Sequence, residues 1–423
     1  MNIEILCTGD EILSGKTINT NYSYIARRLN ETGFSVFRGT VVGDDREDLV
    51  RAFQQASERA DVVIVNGGLG PTVDDLSQEV AATAVGVRLV LHQEWLDQIA
   101  NWYRARGRTM PPNNHKQAML PEGAEFIDNP VGTACGFALT IHSARFFFTP
   151  GIPFELKRML EEQILPRLQD MRGTLVATRV KRFHTFGIGE SRADQLLDGV
   201  EELAPGGMVK LGFQSHFPQL EIKLVANAGS EKELDQILSP VETVVRKRLH
   251  PFVVAENGDT LEGTIIQNLE SQGASLSVLE MDTGGMITGR LIRAADTEAR
   301  IRRGLISVDG EEITRTLELT PPGGFRAEKH FAATCADALR RQTGSTYALA
   351  TLVNLSETGP DNRPCAHIYF GLSGESAGTF HREATLPGRK DWVLRGATEM
   401  GLDYLRRHLL DLPVNQRNDF EQH

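Results

Sequence analysis

Residues 61–75 read DVVIVNGGLGPTVDD. Val62 to Val65 make an unbroken apolar run, the pattern of a strand covered on both faces of a parallel sheet. Gly67, Gly68 and Gly70 follow directly, and Pro71, Thr72 and the pair Asp74–Asp75 lead into a helix from about Asp75. Strand, glycine turn and helix in that order predict an α/β fold built from crossover units. The flanking segments agree. IEILCTG (3–9) is a strand, and Tyr22, Ile25 and Leu29 recur at helical spacing after the start signal Asn19-Thr20-Asn21. FSVFRGTVV (34–42) predicts a second strand, and REDLVRAFQQASERA (46–60) a helix opened by Asp44–Asp45. QEWLDQIANWYRARG (93–107) adds a helix, CGFALTI and ARFFFTP (135–150) a hairpin, and IPFELKRMLEEQILPRL (152–168) a closing amphipathic helix.

With 423 residues the chain exceeds one ordinary core, so about two to four domains are expected. The pattern changes near Met171. Residues 171–252 predict a small α+β domain with two or three strands and two helices, including VKRFHTFGIGE (180–190) and LEIKLVANAG (220–229). HPFVVAENGDT (250–260) reads as its end and a polar joint. Residues 258–415 predict a second α/β unit: helix, strand, helix, the strand GLISVDG (304–310), a helix from about Glu328, and the strand YALATLV (347–353). The tail QRNDFEQH (416–423) is expected to fray.

A formal charge of −11 argues against a general nucleic-acid surface. Four scattered cysteines without a Cys-x-x-Cys pair suggest neither a disulfide scaffold nor a zinc knuckle, and fit the cytoplasm. No apolar run is long enough for a membrane span, and MNIEILCTGDE is not a signal peptide.

GDEILSGKT (9–17) ends like a phosphate-binding P-loop, but five residues separate Gly9 from Gly15 where that motif has four. Asp10 and Glu11 would also repel phosphate inside such a loop. What remains is a strand end with two carboxylates, at the sheet edge where open α/β folds bind ligands. In NGGLGPTVDD (66–75), the glycines lack the Cβ atoms that keep a phosphate from backbone amides. Carboxylates beside a phosphate cradle imply a bridging divalent ion, since the two anions repel each other. The plainer alternative is a strand–turn–helix connection capped by Asp. His115 has no second ligand at metal spacing, and Lys116 is either a phosphate contact or a surface lysine.

TGDEIL (8–13), TNY (20–22), VNGGLGPTVDD (65–75), NNHKQAMLPEGA (113–124), NPVGTACGF (129–137) and FTPGIPFELK (148–157) together resemble the N-terminal domain of the competence/damage-inducible CinA family. FHTFGIGES (183–191) and LGFQSHFPQLEIKL (211–224) are similar to its KH-like middle domain, and the remainder resembles its nicotinamide-mononucleotide deamidase domain. The resemblance implies a molybdopterin-binding-like three-layer α/β/α domain over 1–170. It also implies hydrolysis of ADP-ribose to AMP and ribose 5-phosphate by a homodimer, with Mg²⁺, Co²⁺ or Mn²⁺ as the ion and K⁺ as a further candidate. Asp74, Asp75 and Asp10 are then expected to be catalytic. Gly67, Gly68, Gly70, Thr72, Asn21 and Lys116 would bind the substrate, and Asp74, Asp75 and Glu11 the metal. Spacing leaves open which carboxylate activates water. A nucleotide- or molybdopterin-binding protein without hydrolysis is the main rival.

The last domain departs from its family. SLSVLEMDTGGMITGRL (275–291) keeps a strand, a Thr-Gly-Gly turn and a helix, a frame in which helix N–H groups point into the turn. The deamidase pattern Glu-Ser-Cys-Thr-Gly-Gly is met by Glu280, Met281, Asp282, Thr283, Gly284 and Gly285, so the nucleophilic Ser is replaced by Met281. In GLISVDGEEI (304–313), Val308 and Ile313 stand where the resemblance places the activating Tyr and Lys. A third string is reduced to LSETGP (355–360). Loss of nucleophile and both activators implies an inactive deamidase-like domain, with attack by Asp282 as the alternative.

Overall fold

Strand β1 (Ile3–Thr8) is buried along its length and divides its side chains between two cores. Ile3, Ile5 and Cys7 enter one apolar cluster and Leu6 the other. The computed structural model describes residues 1–173, 177–295, 300–321, 324–356, 364–375 and 378–421. Two units form, one from Met1–Arg179 with Asn227–Leu234, the other from Val180–Ala226 with Asp235–His423.

In the first unit, β1 is followed by helices α1 (Asp10–Leu13) and α2 (Thr20–Glu31), strand β2 (Val36–Val42), helix α3 (Arg46–Arg59) and strand β3 (Val62–Asn66). Helix α4 (Ser77–Val85), strand β4 (Leu89–Leu91), helix α5 (Gln93–Arg104) and strands β5 (Met119–Pro121) and β6 (Glu125–Ile127) come next. The hairpin β7 (Gly136–Ile141) and β8 (Ala144–Thr149) and helices α6 (Pro153–Met159) and α7 (Leu165–Arg172) complete it. The six-stranded sheet has the order β2-β1-β3-β8-β7-β6, with its first four strands parallel. Val63 and Val65 pack with α3, α4 and α5, whereas Val62 and Ile64 pack with α2, α6 and α7. This period-two division builds the three-layer α/β/α arrangement expected from the apolar run.

The structure differs from expectation in two places here. Helix α4 begins at Ser77 rather than Asp75, because Ser77 N–H and hydroxyl donate to the Gly68 and Gly67 carbonyls at 3.1 and 2.9 Å. The closing helix is interrupted by a π turn at Leu160–Ile164, just before Pro166, whose missing N–H cannot continue the ladder.

A four-stranded sheet has the order β10-β11-β9-β12: β9 (Ala177–Phe186), β10 (Val209–His216), β11 (Gln219–Ala228) and β12 (Val253–Glu256), with most of its residues in the second unit. Helices α8 (Glu190–Leu196) and α9 (Glu231–Leu249) accompany it. The stretch read as a polar joint thus supplies a fourth strand, paired antiparallel with β9. Next come α10 (Leu261–Ser271), β13 (Leu276–Met281), α11 (Met286–Ala294), β14 (Ile301–Ser307), α12 (Gly310–Thr316), α13 (Lys329–Thr343) and β15 (Tyr347–Ser356). Strands β16 (Cys365–Gly374) and β17 (Gly378–Pro387) and helix α14 (Lys390–Leu409) follow. The five-stranded sheet has the order β14-β13-β15-β16-β17, parallel in its first three strands.

Within the described part of the tail, residues 416–421, the chain is docked where fraying was expected. Phe420 packs on the main apolar cluster, Asp419 accepts from Gly189 N–H and Arg192 at 2.8 and 2.7 Å, and Glu421 pairs with Arg382. Among the described residues no helix is long and apolar enough to cross a membrane.

Candidate active site

A cleft of about 480 Å³ opens at the carboxyl ends of β1, β3 and β8. From β1 the chain crosses outward to β2, and from β3 it continues to the other side, so the cleft lies where the strand order reverses.

The loop after β3 forms one wall. Gly67 has φ +115° and packs so closely on β1 that a Cβ would lie 2.9 Å from the Thr8 carbonyl oxygen. Its N–H donates to the Thr149 carbonyl at 2.9 Å, so Gly67 shapes the loop and is not a phosphate donor. The N–H groups of Gly68, Leu69 and Gly70 have no acceptor among the described residues, and all three residues line the cleft. These are the donors of an anion cradle.

Carboxylates form the rim. Asp10 and Asp44 exchange hydrogen bonds, each accepting from the other's N–H at 3.2 and 3.0 Å. Burial holds the Asp44 carboxyl above its ordinary range, and the neighbouring negative charges of Asp10, Glu11 and Asp74 push the same way. Asp44 was hidden in the sequence because Asp44–Asp45 resembles a helix opener. Only Asp45 caps α3, accepting from Glu47 and Asp48 N–H, while Asp44 turns to the cleft. Four glycines leave room for acidic side chains here: a Cβ on Gly9, Gly43, Gly70 or Gly132 would strike the carboxyl of Glu11, Asp10, Asp75 or Glu155.

Several expected contacts take other roles. Asp75 lines the cleft, yet its Oδ2 accepts from Thr72 N–H at 2.8 Å and from the Thr72 hydroxyl, which closes the turn. Thr72 and Lys116 are not among the lining residues, and Lys116 Nζ donates to the Thr72 carbonyl at 2.7 Å, bracing the loop from outside. Asn21 lines the cleft, but its amide donates to Asn66 Oδ1 and the Gly151 carbonyl at 2.9 and 2.7 Å. These bonds tie α2 to the loops after β3 and β8. Glu155 and Thr8, which the sequence reading missed, also line the cleft, at 3% and 5% exposure. Their importance depends on neighbours remote in sequence, so no local motif announced them.

Among the described residues no Lys, Arg or His lines the cleft, so none of them supplies charge for a bound phosphate. Among the described residues no three His, Cys, Asp or Glu side chains form a ready metal cage, and Asp74, Asp75 and Glu11 are not gathered as one ligand set. The reason is Asp75's commitment to Thr72. Asp10, expected to be catalytic, is not among the lining residues and accepts from Asp44 N–H, but Glu11 and Asp74 beside the amide cradle suit a Mg²⁺-like ion, which takes one or two carboxylates and completes its shell with phosphate oxygens and water.

In the second unit the Thr-Gly-Gly turn is held by the Glu280 carboxylate. The Glu280 carboxylate, wholly buried, accepts from Ile287 and Thr288 N–H at 3.1 and 2.8 Å and from the Thr283 and Thr288 hydroxyls at 2.6 Å each. The helix N–H groups expected to face the turn are thereby occupied. Met281 does not face a substrate, since it joins Ile313 in one apolar cluster. Val308 is 78% exposed. Asp282 is half-buried in the left-handed region at φ +67°, and burial raises its carboxyl above the ordinary range while Lys390 pulls it down. Residues 357–360 of the third string lie outside the described residues.

Comparison with known proteins gives three consecutive family matches: a probable molybdopterin binding domain over residues 4–170, the damage-inducible protein CinA KH domain over 180–255, and the CinA C-terminal domain over 258–409. A CinA-like protein of Shewanella sediminis is 41% identical over 415 residues, covering 97% of this chain and 96% of the relative. Another from Shewanella woodyi is 40% identical over the same length and coverage. The crystal structure of the CinA protein from Thermoplasma acidophilum is 34% identical, covers 40% of this chain and 96% of its own, and aligns with a TM-score of 0.36.

Proposed function

The chain belongs to the CinA family, and from that premise we propose that its N-terminal domain is a cytoplasmic, divalent-metal-dependent hydrolase that cleaves the diphosphate of ADP-ribose. One observation carries this reading: free backbone N–H groups and a carboxylate cluster share one cleft that no cationic side chain lines. Backbone amides alone do not neutralise a diphosphate beside the five carboxylates that line the cleft. A bound Mg²⁺, Co²⁺ or Mn²⁺ would neutralise the phosphate oxygens and make a water more acidic. Gly68, Leu69 and Gly70 N–H hold the diphosphate, and Asp74 with Glu11 provides carboxylate oxygens for the ion. Asp44, whose Oδ2 is fixed by Asp10 N–H, presents Oδ1 to take a proton from the attacking water. The water oxygen bonds to phosphorus as the bridging P–O bond breaks, and its electron pair leaves with the other phosphate. Protein with ADP-ribose and Co²⁺ is expected to release AMP and ribose 5-phosphate. No AMP above an EDTA control would refute the reading.

The match to a probable molybdopterin binding domain and the lack of a ready metal cage favour, as a second reading, nucleotide or molybdopterin binding without hydrolysis. Calorimetric binding of ADP-ribose with no product at any metal concentration would establish it.

The C-terminal domain is read as a deamidase-like domain without catalysis, because Met281 and Ile313 are core residues and Glu280 occupies the helix donors. Ammonia release from nicotinamide mononucleotide is expected to stay at background in the wild type and in Met281→Ser. Release that disappears in Asp282→Asn but survives Asp74→Asn would instead establish attack by Asp282.

A further inference from the structure

Glu155 belongs to the first turn of α6, but it does not cap its own helix, which has no side-chain cap hydrogen bond. Instead its carboxyl is fixed from outside. Asn129 Nδ2 donates to Glu155 Oε2 at 2.7 Å and to the Ala134 carbonyl at 2.7 Å, and Gly132 lacks the Cβ that would strike the carboxyl. Oε1 has no hydrogen-bond partner among the described residues, although the side chain is 3% exposed and lines the cleft. A second polar atom in the same cleft, the Thr8 hydroxyl, is buried and has no partner among the described residues. An open carboxylate oxygen and a buried, unpartnered hydroxyl on one cleft suit a ligand with matching polar groups.

Glu155 lines the same cleft as Gly68, Leu69 and Gly70. A Cβ on Gly151 would lie 3.8 Å from Gly67 Cα, so the loop leading to α6 adjoins the glycine loop. In a nucleoside diphosphate sugar, the unit next to the diphosphate is a ribose. Burial raises the Glu155 carboxyl above the ordinary carboxylate range. A partner that both donates and accepts therefore suits the group in either protonation state. A hydroxyl does both, whereas a phosphate oxygen only accepts and an ammonium only donates.

We propose that Glu155 is the specificity residue of this cleft and hydrogen-bonds a ribose hydroxyl next to the bound diphosphate. This rests on the reading of the cleft as a nucleoside diphosphate sugar site. The bland alternative is a brace, Glu155 serving only to hold the Asn129–Ala134 loop.

The test measures kcat/KM of the full chain with ADP-ribose and Co²⁺. Two analogues are compared, one lacking the 2′ and 3′ hydroxyls of the adenosine ribose and one lacking those of the terminal ribose. The wild type is expected to prefer ADP-ribose over one analogue by about 10- to 100-fold, the value of a hydrogen bond to a charged group. In Glu155→Ala that preference is expected to fall to about twofold or less. Glu155→Gln, which keeps the shape and an Asn129 acceptor, is expected to lie between. A brace would lower all three substrates in proportion and leave the preference intact, so an unchanged ratio in both variants would overturn the proposal. So would equal wild-type rates on all three. If no substrate yields AMP, the hydrolase reading fails by itself. Calorimetric affinities for the same three compounds then decide the ribose contact by the same ratios, and absence of any binding overturns both.

Discussion

Asp74→Asn is expected to lower metal-dependent AMP release from ADP-ribose by about 10²- to 10³-fold in kcat/KM while leaving the fold intact. Asp74 is exposed, lines the cleft and has no hydrogen-bond partner among the described residues, so no structural contact is lost with its charge. Its stability is expected to change by no more than about 0.5 kcal/mol. The neighbouring Asp75 provides the contrast. Asp75→Asn can still accept from Thr72 through Oδ1 and preserve the turn, so about a tenfold loss or less is expected. Steady-state kinetics and denaturant unfolding of both variants separate a charge at the reacting centre from a turn closure. Equal losses in the two variants would mean that both act through the loop's shape.

Gly67→Ala should damage stability and activity together. At φ +115° an alanine is strained regardless of space, and its Cβ would stand 2.6 Å from Thr8 Oγ1 and 2.9 Å from the Thr8 carbonyl oxygen. The carbonyl belongs to β1 in the middle of the sheet and cannot retreat without breaking pairs to β2 or β3. Backbone strain and overpacking of this kind cost about 2–4 kcal/mol. The loop can escape only by moving away from β1, and that motion displaces the Gly68–Gly70 N–H groups. The midpoint of denaturant unfolding is therefore expected to drop, with AMP release at least about tenfold lower in the protein that still folds. A variant of full stability and full activity would show that the loop does not pack on Thr8 as described.

Legibility followed the locality of each signal. β3 and its glycine turn were readable because burial on both faces and the turn chemistry lie in consecutive residues. Asp44 and Glu155 were not, since an acidic pair before a helix and an acidic residue in a first turn both look like capping. Only the distant partners Asp10, Asn129 and Gly132 separate those readings. The same limit hid the end of the chain. Helix α14 is largely buried yet carries Asp403, Arg406 and Arg407, which pair with one another and with the Pro251 and Val253 carbonyls. Charges satisfied inside a core interrupt the apolar stripe by which a helix is recognised. Strands β16 and β17 went unread with it. At Met281 the expected nucleophile position holds an apolar side chain, which packs with Ile313 in one cluster.

The central claim is that water cleaves a diphosphate in the cleft beside Gly67–Asp75, and one turnover experiment addresses it. The protein is incubated with ADP-ribose and Co²⁺ in ¹⁸O-labelled water, and the products are weighed by mass spectrometry. Direct hydrolysis gives AMP and ribose 5-phosphate with one ¹⁸O atom on the phosphate of one of them, and Asp74→Asn gives neither above background. Absence of both products from the wild type, or equal product from Asp74→Asn, would contradict the account.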